Sequence, residues 1–511
     1  MSLSAEGPLI TYSPRFDQYF FSSRRAITCI LSLELCASVG HSGICRTHQT
    51  SPRHTELSVA FFLDSIDHCR SHKPDDEGQA TLRSRTQALR KRNDTVNAFV
   101  HIGDEPAHNA ITATNPAALL AGVPIAVKDL IDVAGMPTRL GSQAVSHAPE
   151  EHAAVIDALV SEGAIIAGKS HTTEFAMSGW GVSPLGRPLN PIDADDLFFS
   201  GGSSNGSASA VAAGLVPAAL GTDTGGSVRI PSSWCGITGL KGSPGWVSTV
   251  GVAPLSQSFD VVGPMARTAS EVGQLYRAML PALRRTAFET ALEVATQQPL
   301  PTLMFLDDAS LGVVDSNTLA AYRASQTQCA AQGFPIKMTT IPRSFAEMAG
   351  VWAGISAVEG YLNNRELVDD PAAPLDDGVR TNFLQGSKTD LHGYWSLLNK
   401  ARHIREAMDN LLTPSQVLVV PTTATPATRL TEFDPLRTLG IYTRFVNLIQ
   451  GCAIAIPNGI SHDARPTSMQ FVGSYGQDAV ILHAATHWQA HTDWHAKIRD
   501  LHAEQMQRRT S

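Results

Sequence analysis

Charge is scarce in this chain. Asp, Glu, Lys and Arg make up 17% of its 511 residues against 43% apolar ones, so the polar excess that keeps a segment unfolded is missing and a large core can be buried. The net charge is −8 and the sequence pI near 6.1. The one run of three basic residues, Arg90-Lys91-Arg92, reads as a solvated helix end, which leaves no footprint for nucleic acid. Seven cysteines (Cys29, Cys36, Cys45, Cys69, Cys235, Cys329 and Cys452) never stand in a CxxC spacing, which argues against structural zinc or a dithiol redox centre and favours a reducing compartment. No apolar run reaches the roughly 18 to 20 residues that a membrane helix needs, so the body of the protein is expected to be soluble with no membrane partner. Ser23-Arg24-Arg25 followed by residues 26–39 has a twin-arginine look. Glu34 interrupts the apolar stretch and no clean small-x-small site follows, so the cytoplasm is the expected location.

What is present is an alternation of short apolar runs and helical patterns. Residues 1–55 mix Ser, His, Cys and Arg without periodicity and are expected to be an extension. From Glu56 onward apolar residues recur at helical spacing, and a single domain is expected over 56–500. The pattern predicts a helix over 80–92 stopped by Asn93-Asp94, a strand over 96–102, a buried strand over 122–127 ending at Lys128, a helix over 153–161 and a short strand over 164–167. A helix over 207–213 and strands over 216–220, 417–421 and 452–457 follow. The segment 284–413 is more polar and helical in pattern, and is expected to shape a substrate pocket. Alternating elements imply an α/β fold.

Three motifs point to competing chemistries. Gly163-Ala164-Ile165-Ile166-Ala167-Gly168-Lys169-Ser170 satisfies GxxxxGK(S/T), the phosphate-binding loop; its four intervening residues are apolar and read as a strand themselves, which argues against a nucleotide site. Gly202-Ser203-Ser204-Asn205-Gly206 satisfies GxSxG, the nucleophile elbow, but the turn formers and acids at 190–199 are not the buried strand an elbow requires. His483, His487, His491 and His495 recur every four residues on a predicted C-terminal helix. With no clear third ligand except Asp493, they read as an exposed polar face rather than a metal site.

A longer pattern competes better. Ser200-Gly201-Gly202-Ser203-Ser204-Asn205-Gly206-Ser207-Ala208 is followed by Leu220-Gly221-Thr222-Asp223-Thr224-Gly225-Gly226-Ser227-Val228-Arg229-Ile230-Pro231. Together with the strand ending in Lys128-Asp129, the segment 168–178 and Gly236-Ile237-Thr238-Gly239-Leu240-Lys241, this resembles the amidase signature family from about Leu57 to His495, in the family's order and approximate spacing. The resemblance implies a large mixed twisted sheet covered by helices on both faces, and hydrolysis of amide-type C–N bonds without metal or cofactor. In enzymes resembling this one Ser227 attacks the carbonyl and Ser203, on a cis peptide, relays its proton to Lys128. Thr224, Gly225 and Gly226 then form the oxyanion hole, and Ala176, Met177 and Ser178 face the acyl pocket.

Elementary chemistry makes the same roles reasonable. A serine hydroxyl is a weak nucleophile and needs a base; a lysine serves as one only when neutral, and burial at a strand end drives its pKa down. Two positions depart from the family pattern. Asn205 replaces a glycine, which Asn's tolerance of positive φ would permit. Lys241-Gly242-Ser243-Pro244 replaces Lys-Pro-Thr, a change expected to alter a loop near the site. The stretch Leu439-Gly440-Ile441-Tyr442-Thr443-Arg444-Phe445-Val446-Asn447-Leu448 resembles its counterpart in allophanate hydrolases, which leaves amides, anilides, indole-type amides, carbamates and ureas open as small-molecule substrates. The alternative in the same fold is a glutaminase subunit that passes ammonia to a partner. Ile230 stands where those subunits carry glutamine, which favours a stand-alone enzyme. The resemblance allows a homodimer, and the complete triad argues against a catalytically dead binding protein.

Overall fold

The computed structural model describes residues 76–103, 118–434 and 437–510; the expected extension 1–55 and its twin-arginine-like segment lie outside them. Among the described residues eleven strands form one mixed sheet: β1 (Phe99–Ile102), β2 (Pro124–Lys128), β3 (Ile165–Ser170), β4 (Ala218–Asp223), β5 (Thr238–Lys241), β6 (Val261–Ala266), β7 (Thr302–Leu306), β8 (Ile336–Thr339), β9 (Gln416–Pro421), β10 (Cys452–Ile460) and β11 (Pro466–Gly473). Their order across the sheet is β1-β3-β2-β4-β6-β5-β10-β11-β9-β7-β8.

The central strands are buried on both faces because they carry apolar or small residues in both alternating sets. Ile125, Val127, Ile166, Ala218 and Leu220 point into the larger core. Their neighbours Ala126, Ala167 and Ala219 point into a second one, against Ala208, Val211 and Ala212 of the helix Asn205–Ala212. That helix is built of small residues and all eight are buried, so it approaches the sheet closely. A Cβ on Gly206 would lie 2.3 Å from the His171 amide nitrogen.

β2 runs parallel to both β3 and β4, so the carboxyl ends of three strands meet on one edge of the sheet. In open α/β sheets this is where ligands bind. Lys128 closes β2, and Thr222 and Asp223 close β4.

Several local expectations change. The first helix runs Asp76–Val96 and does not stop at Asn93-Asp94, so the strand predicted over 96–102 keeps only Phe99–Ile102. The Asn93 side chain bonds both the N–H and the C=O of Phe99, and Asn97 takes φ 53° to turn the chain; Asn93 closes the connection rather than the helix. The segment expected to be helical over 284–413 contributes β7 and β8, a parallel pair at the sheet edge. β8 is largely exposed and lacks the apolar run that marks a buried strand. The histidine stripe is divided between two helices, Asp478–Ala490 and Trp494–Thr510. It is not an exposed polar face either: His487 is half-buried, its ring 5.1 Å from Phe334 and 4.3 Å from His491, with Nε2 3.1 Å from the Gln332 carbonyl.

Candidate active site

The competing motifs resolve first. Residues 165–170 of the GxxxxGK(S/T) match are strand β3. Lys169 is fully buried, 3.0 Å from Asp129 and donating to Thr138 Oγ1 at 2.7 Å, so its charge is committed inside the protein. Ser204, the serine of the GxSxG match, is buried and held between the N–H and C=O of Thr222, both at 3.3 Å. Neither meets the geometric need of its motif, an N–H array or a freely exposed hydroxyl.

At the carboxyl edge of β2 and β4, Lys128 Nζ donates to Ser203 Oγ at 2.8 Å and to Thr222 Oγ1 at 2.8 Å, with the Thr222 carbonyl at 3.5 Å. Lys128 and Ser203 are completely buried. Burial lowers the Lys128 pKa to about 7, although Asp223 and Asp260 pull the other way. A neutral amine has two hydrogens and one lone pair. The two Thr222 oxygens can take the hydrogens, which leaves the lone pair toward the Ser203 hydroxyl. The Gly202-Ser203 peptide is cis.

Ser227 lies on the turn between β4 and the helix Arg229–Trp234. That turn is shaped by Asp223, whose carboxylate accepts from the N–H of Gly226 (2.8 Å) and Val228 (3.2 Å) and forks with the Arg229 guanidinium. Burial alone would raise the Asp223 pKa, but Arg229 first and then Lys241 and Asn447 bring it down to about 2. The two serine loops are tied by Ser204 N–H to the Ser227 carbonyl at 3.1 Å. Thr443 Oγ1 donates to the Gly225 carbonyl at 2.6 Å, and Trp352 Nε1 to the Thr224 carbonyl at 2.8 Å. Thr224 Oγ1 donates to Asp260, whose pKa burial raises to about 6.

Ser227 opens onto a cavity of about 410 Å³, whose walls include Ala176, Met177, Ser178, Gly202, Thr224 and Gly225. Gly202 of that wall directly precedes the buried Ser203, which bonds Lys128. Of the three expected oxyanion positions, the Gly226 N–H is committed to Asp223. Among the described residues the N–H groups of Gly225 and Ser227 have no acceptor. Phe175 and Ala176 both take positive φ, 49° and 58°, a costly backbone arrangement that tends to mark functional sites. From the segment 284–413, only the part formed by the helices Phe345–Asp369 and Asp377–Gly386, with Asp376 before the second, lines the cavity.

The two departures from the family pattern act differently from expectation. Asn205 does not take positive φ; it opens the helix, and its side-chain amide donates to the Gly181 carbonyl at 2.8 Å. Gly242, Ser243 and Pro244 are not part of the cavity wall; Ser243 N–H and Oγ both donate to Asp478. Asp223 and Arg229 flank Ser227 within six residues, a signal that sequence reading left unused. Asp260 and Trp352 carry no local signal, because only the fold brings them to the Thr224 turn; Arg444 lies in the stretch 439–448 already singled out, but nothing local marks it as a cavity residue.

Comparison with known proteins bears on the family and the fold. The family model described as Amidase matches residues 80–482. A glutamyl-tRNA(Gln) amidotransferase subunit of Nitrosococcus oceani is 31% identical over 452 residues, covering 80% of this chain and 93% of the relative. The protein of the same name from Neisseria meningitidis gives the same identity and coverage. Among solved structures, one described as an amidase superposes with a TM-score of 0.71 at 25% identity, covering 84% of this chain and 99% of the other. An allophanate hydrolase of Kluyveromyces lactis superposes with a TM-score of 0.73 at 25% identity, covering 84% and 72%. With the family model spanning most of the chain and the sheet matching solved amidases, this chain belongs to the amidase signature family and is an amide C–N hydrolase.

Proposed function

We propose that the reaction runs through an acyl-enzyme on Ser227, with Ser203 and Lys128 as its proton relay. The observation that carries this reading is the 2.8 Å contact between Lys128 Nζ and Ser203 Oγ in a fully buried position, where a lysine with a pKa near 7 is able to act as a base. Ser227 Oγ attacks the substrate carbonyl and its proton passes through Ser203 to Lys128. The uncommitted N–H groups of Gly225 and Ser227 stabilise the oxyanion. The proton then returns to the leaving nitrogen, the amine departs, and water repeats the sequence to release the acid.

The substrates proposed are small amides, with carbamates and ureas included on the resemblance of residues 439–448. The cytoplasm is the proposed compartment, consistent with free thiols at Cys235, Cys329 and Cys452. Among the described residues no helix is long and apolar enough to cross a membrane. The names of the curated relatives favour a second reading, a glutaminase subunit working with a partner. Ile230 speaks against it, since it belongs to an apolar cluster with Trp180, Phe198 and Leu439, and Trp180, Ile230 and Leu439 of that cluster line the cavity.

The test is turnover of primary amides, anilides, carbamates, ureas and glutamine, with EDTA present, by wild-type, Ser227→Ala and Lys128→Ala protein. Loss in both variants with wild-type turnover unaffected by EDTA is expected; turnover surviving Ser227→Ala would discard the acyl-enzyme. Preference for glutamine, with a larger complex on gel filtration, would favour the glutaminase reading.

A further inference from the structure

Arg444 opens the helix Arg444–Leu448 and lines the same cavity as Ser227. Its guanidinium stacks on the Trp352 indole at 4.4 Å. Among the described residues it has no carboxylate, carbonyl or hydroxyl as acceptor, although a guanidinium carries five donors in a fixed fork. Its aromatic platform, the preceding threonine and the charged residues of the wall are committed elsewhere. Trp352 is held by its bond to the Thr224 carbonyl and by stacking on Phe259, and Thr443 by its bond to Gly225. Arg437, the other cation among the described wall residues, donates to Thr425 Oγ1. Asp376, the one carboxylate among them, accepts from the N–H groups of Gly378 and Val379.

A partly buried guanidinium held in place by an aromatic platform but lacking an acceptor is a preformed site for a planar anion. Resting on the proposed hydrolase reading, we infer that Arg444 anchors a carboxylate of the substrate, so that the preferred substrates are amides or ureas bearing a carboxylate close to the scissile carbonyl. The position supports the short spacing: Arg444 follows Thr443, whose hydroxyl bonds Gly225, and its platform bonds Thr224. Asp376 repels an anion from its own part of the cavity and adds direction. Burial lowers the Arg444 pKa only to about 10, so the charge persists at neutral pH.

The test compares succinamate with butyramide, which carries a methyl group where succinamate has its carboxylate. Wild-type kcat/KM is expected to favour succinamate by roughly 10- to 100-fold, the worth of a charge-assisted bond. The ratio should collapse toward about 1 in Arg444→Met and be partly kept in Arg444→Lys, which retains charge without the fork. A wild-type ratio near about 1, or one unchanged in Arg444→Met, overturns the anchor. Independently of turnover, succinamate should raise the Tm of Ser227→Ala protein and fail to do so once Arg444→Met is added; no shift, or one that survives, likewise overturns it. Turnover retained by Ser227→Ala strikes the acyl-enzyme instead, and the substrate ratio still judges Arg444.

Discussion

Arg229 forks onto Asp223 through Nε to Oδ2 at 3.0 Å and a terminal nitrogen to Oδ1 at 2.9 Å, both side chains completely buried, and the pair brackets the turn that carries Ser227. The guanidinium also reaches Gln470 Oε1, the Thr443 carbonyl and Asn447 Oδ1, so one cation ties β4, β11 and the helix Arg444–Leu448 together.

Removing that cation leaves a buried carboxylate without its partner. Arg229→Met is expected to destabilise the protein by about 3–5 kcal/mol, read by urea denaturation, with activity lost alongside. The Asp223 pKa is lowered from 3.8 to about 2 in the fold. The pair's contribution is therefore fully present above the unfolded carboxyl pKa and lost as pH falls through the interval from about 4 to about 2. A wild-type acid-unfolding transition that loses this component in Asp223→Asn protein would show it.

The relay carries its own pH signature. With Lys128 near 7, kcat/KM is expected to rise as pH increases through that value and the amine loses its proton, then level off. Lys128→Ala should lower kcat by about 100- to 10,000-fold while circular dichroism stays native. A flat profile between pH values of about 5 and 9 would remove lysine as the base.

A serine-directed fluorophosphonate should label Ser227, which opens onto the cavity, and spare the buried Ser203 and Ser204. Peptide mass mapping locates the adduct. Labelling should fall sharply in Lys128→Ala, because the nucleophile then has no base.

Two glycines make opposite predictions. At Gly226, with φ 125°, a Cβ would lie 2.2 Å from Thr443 Oγ1, so Gly226→Ala must move either the Ser227 turn or the bond from Thr443 to Gly225; a loss of about 100-fold or more in kcat is expected. Gly350 is exposed within the helix Phe345–Asp369, with nothing within 4 Å of an added Cβ. Gly350→Ala should stabilise by about 0.5–1 kcal/mol at unchanged activity, measured by thermal unfolding and turnover.

The α/β class and the central strands were legible in the sequence because they are local. The two-sided burial of β2, β3 and β4 is written as short apolar runs, and the glycine- and serine-rich segments around Ser203 and Ser227 stand in an order that other elements cannot mimic. Lys128 was legible as a strand end for the same reason. The edge strand β8 was not, since a half-exposed strand carries no pattern distinct from the helical segment around it; β7 does carry a buried apolar run, Leu303-Met304-Phe305-Leu306, that the helical reading of 284–413 passed over.

The sequence by itself determined the family, the buried strands β2, β3, β4, β9 and β10, and the candidate residues Lys128, Ser203 and Ser227. Only the tertiary structure decided that Asn205 opens a helix, that the Gly226 N–H is spent on Asp223, that the histidine stripe is split between two helices, and that Trp352 and Arg444 join the cavity. The Gly226–Asp223 bond spans three positions, but the contacts that bring Trp352 and Arg444 to the cavity span far more, such as Trp352 with Thr224 and Thr443 with Gly225. Propensity and spacing act over a few residues, whereas hydrogen-bond commitment and burial are properties of the packed whole.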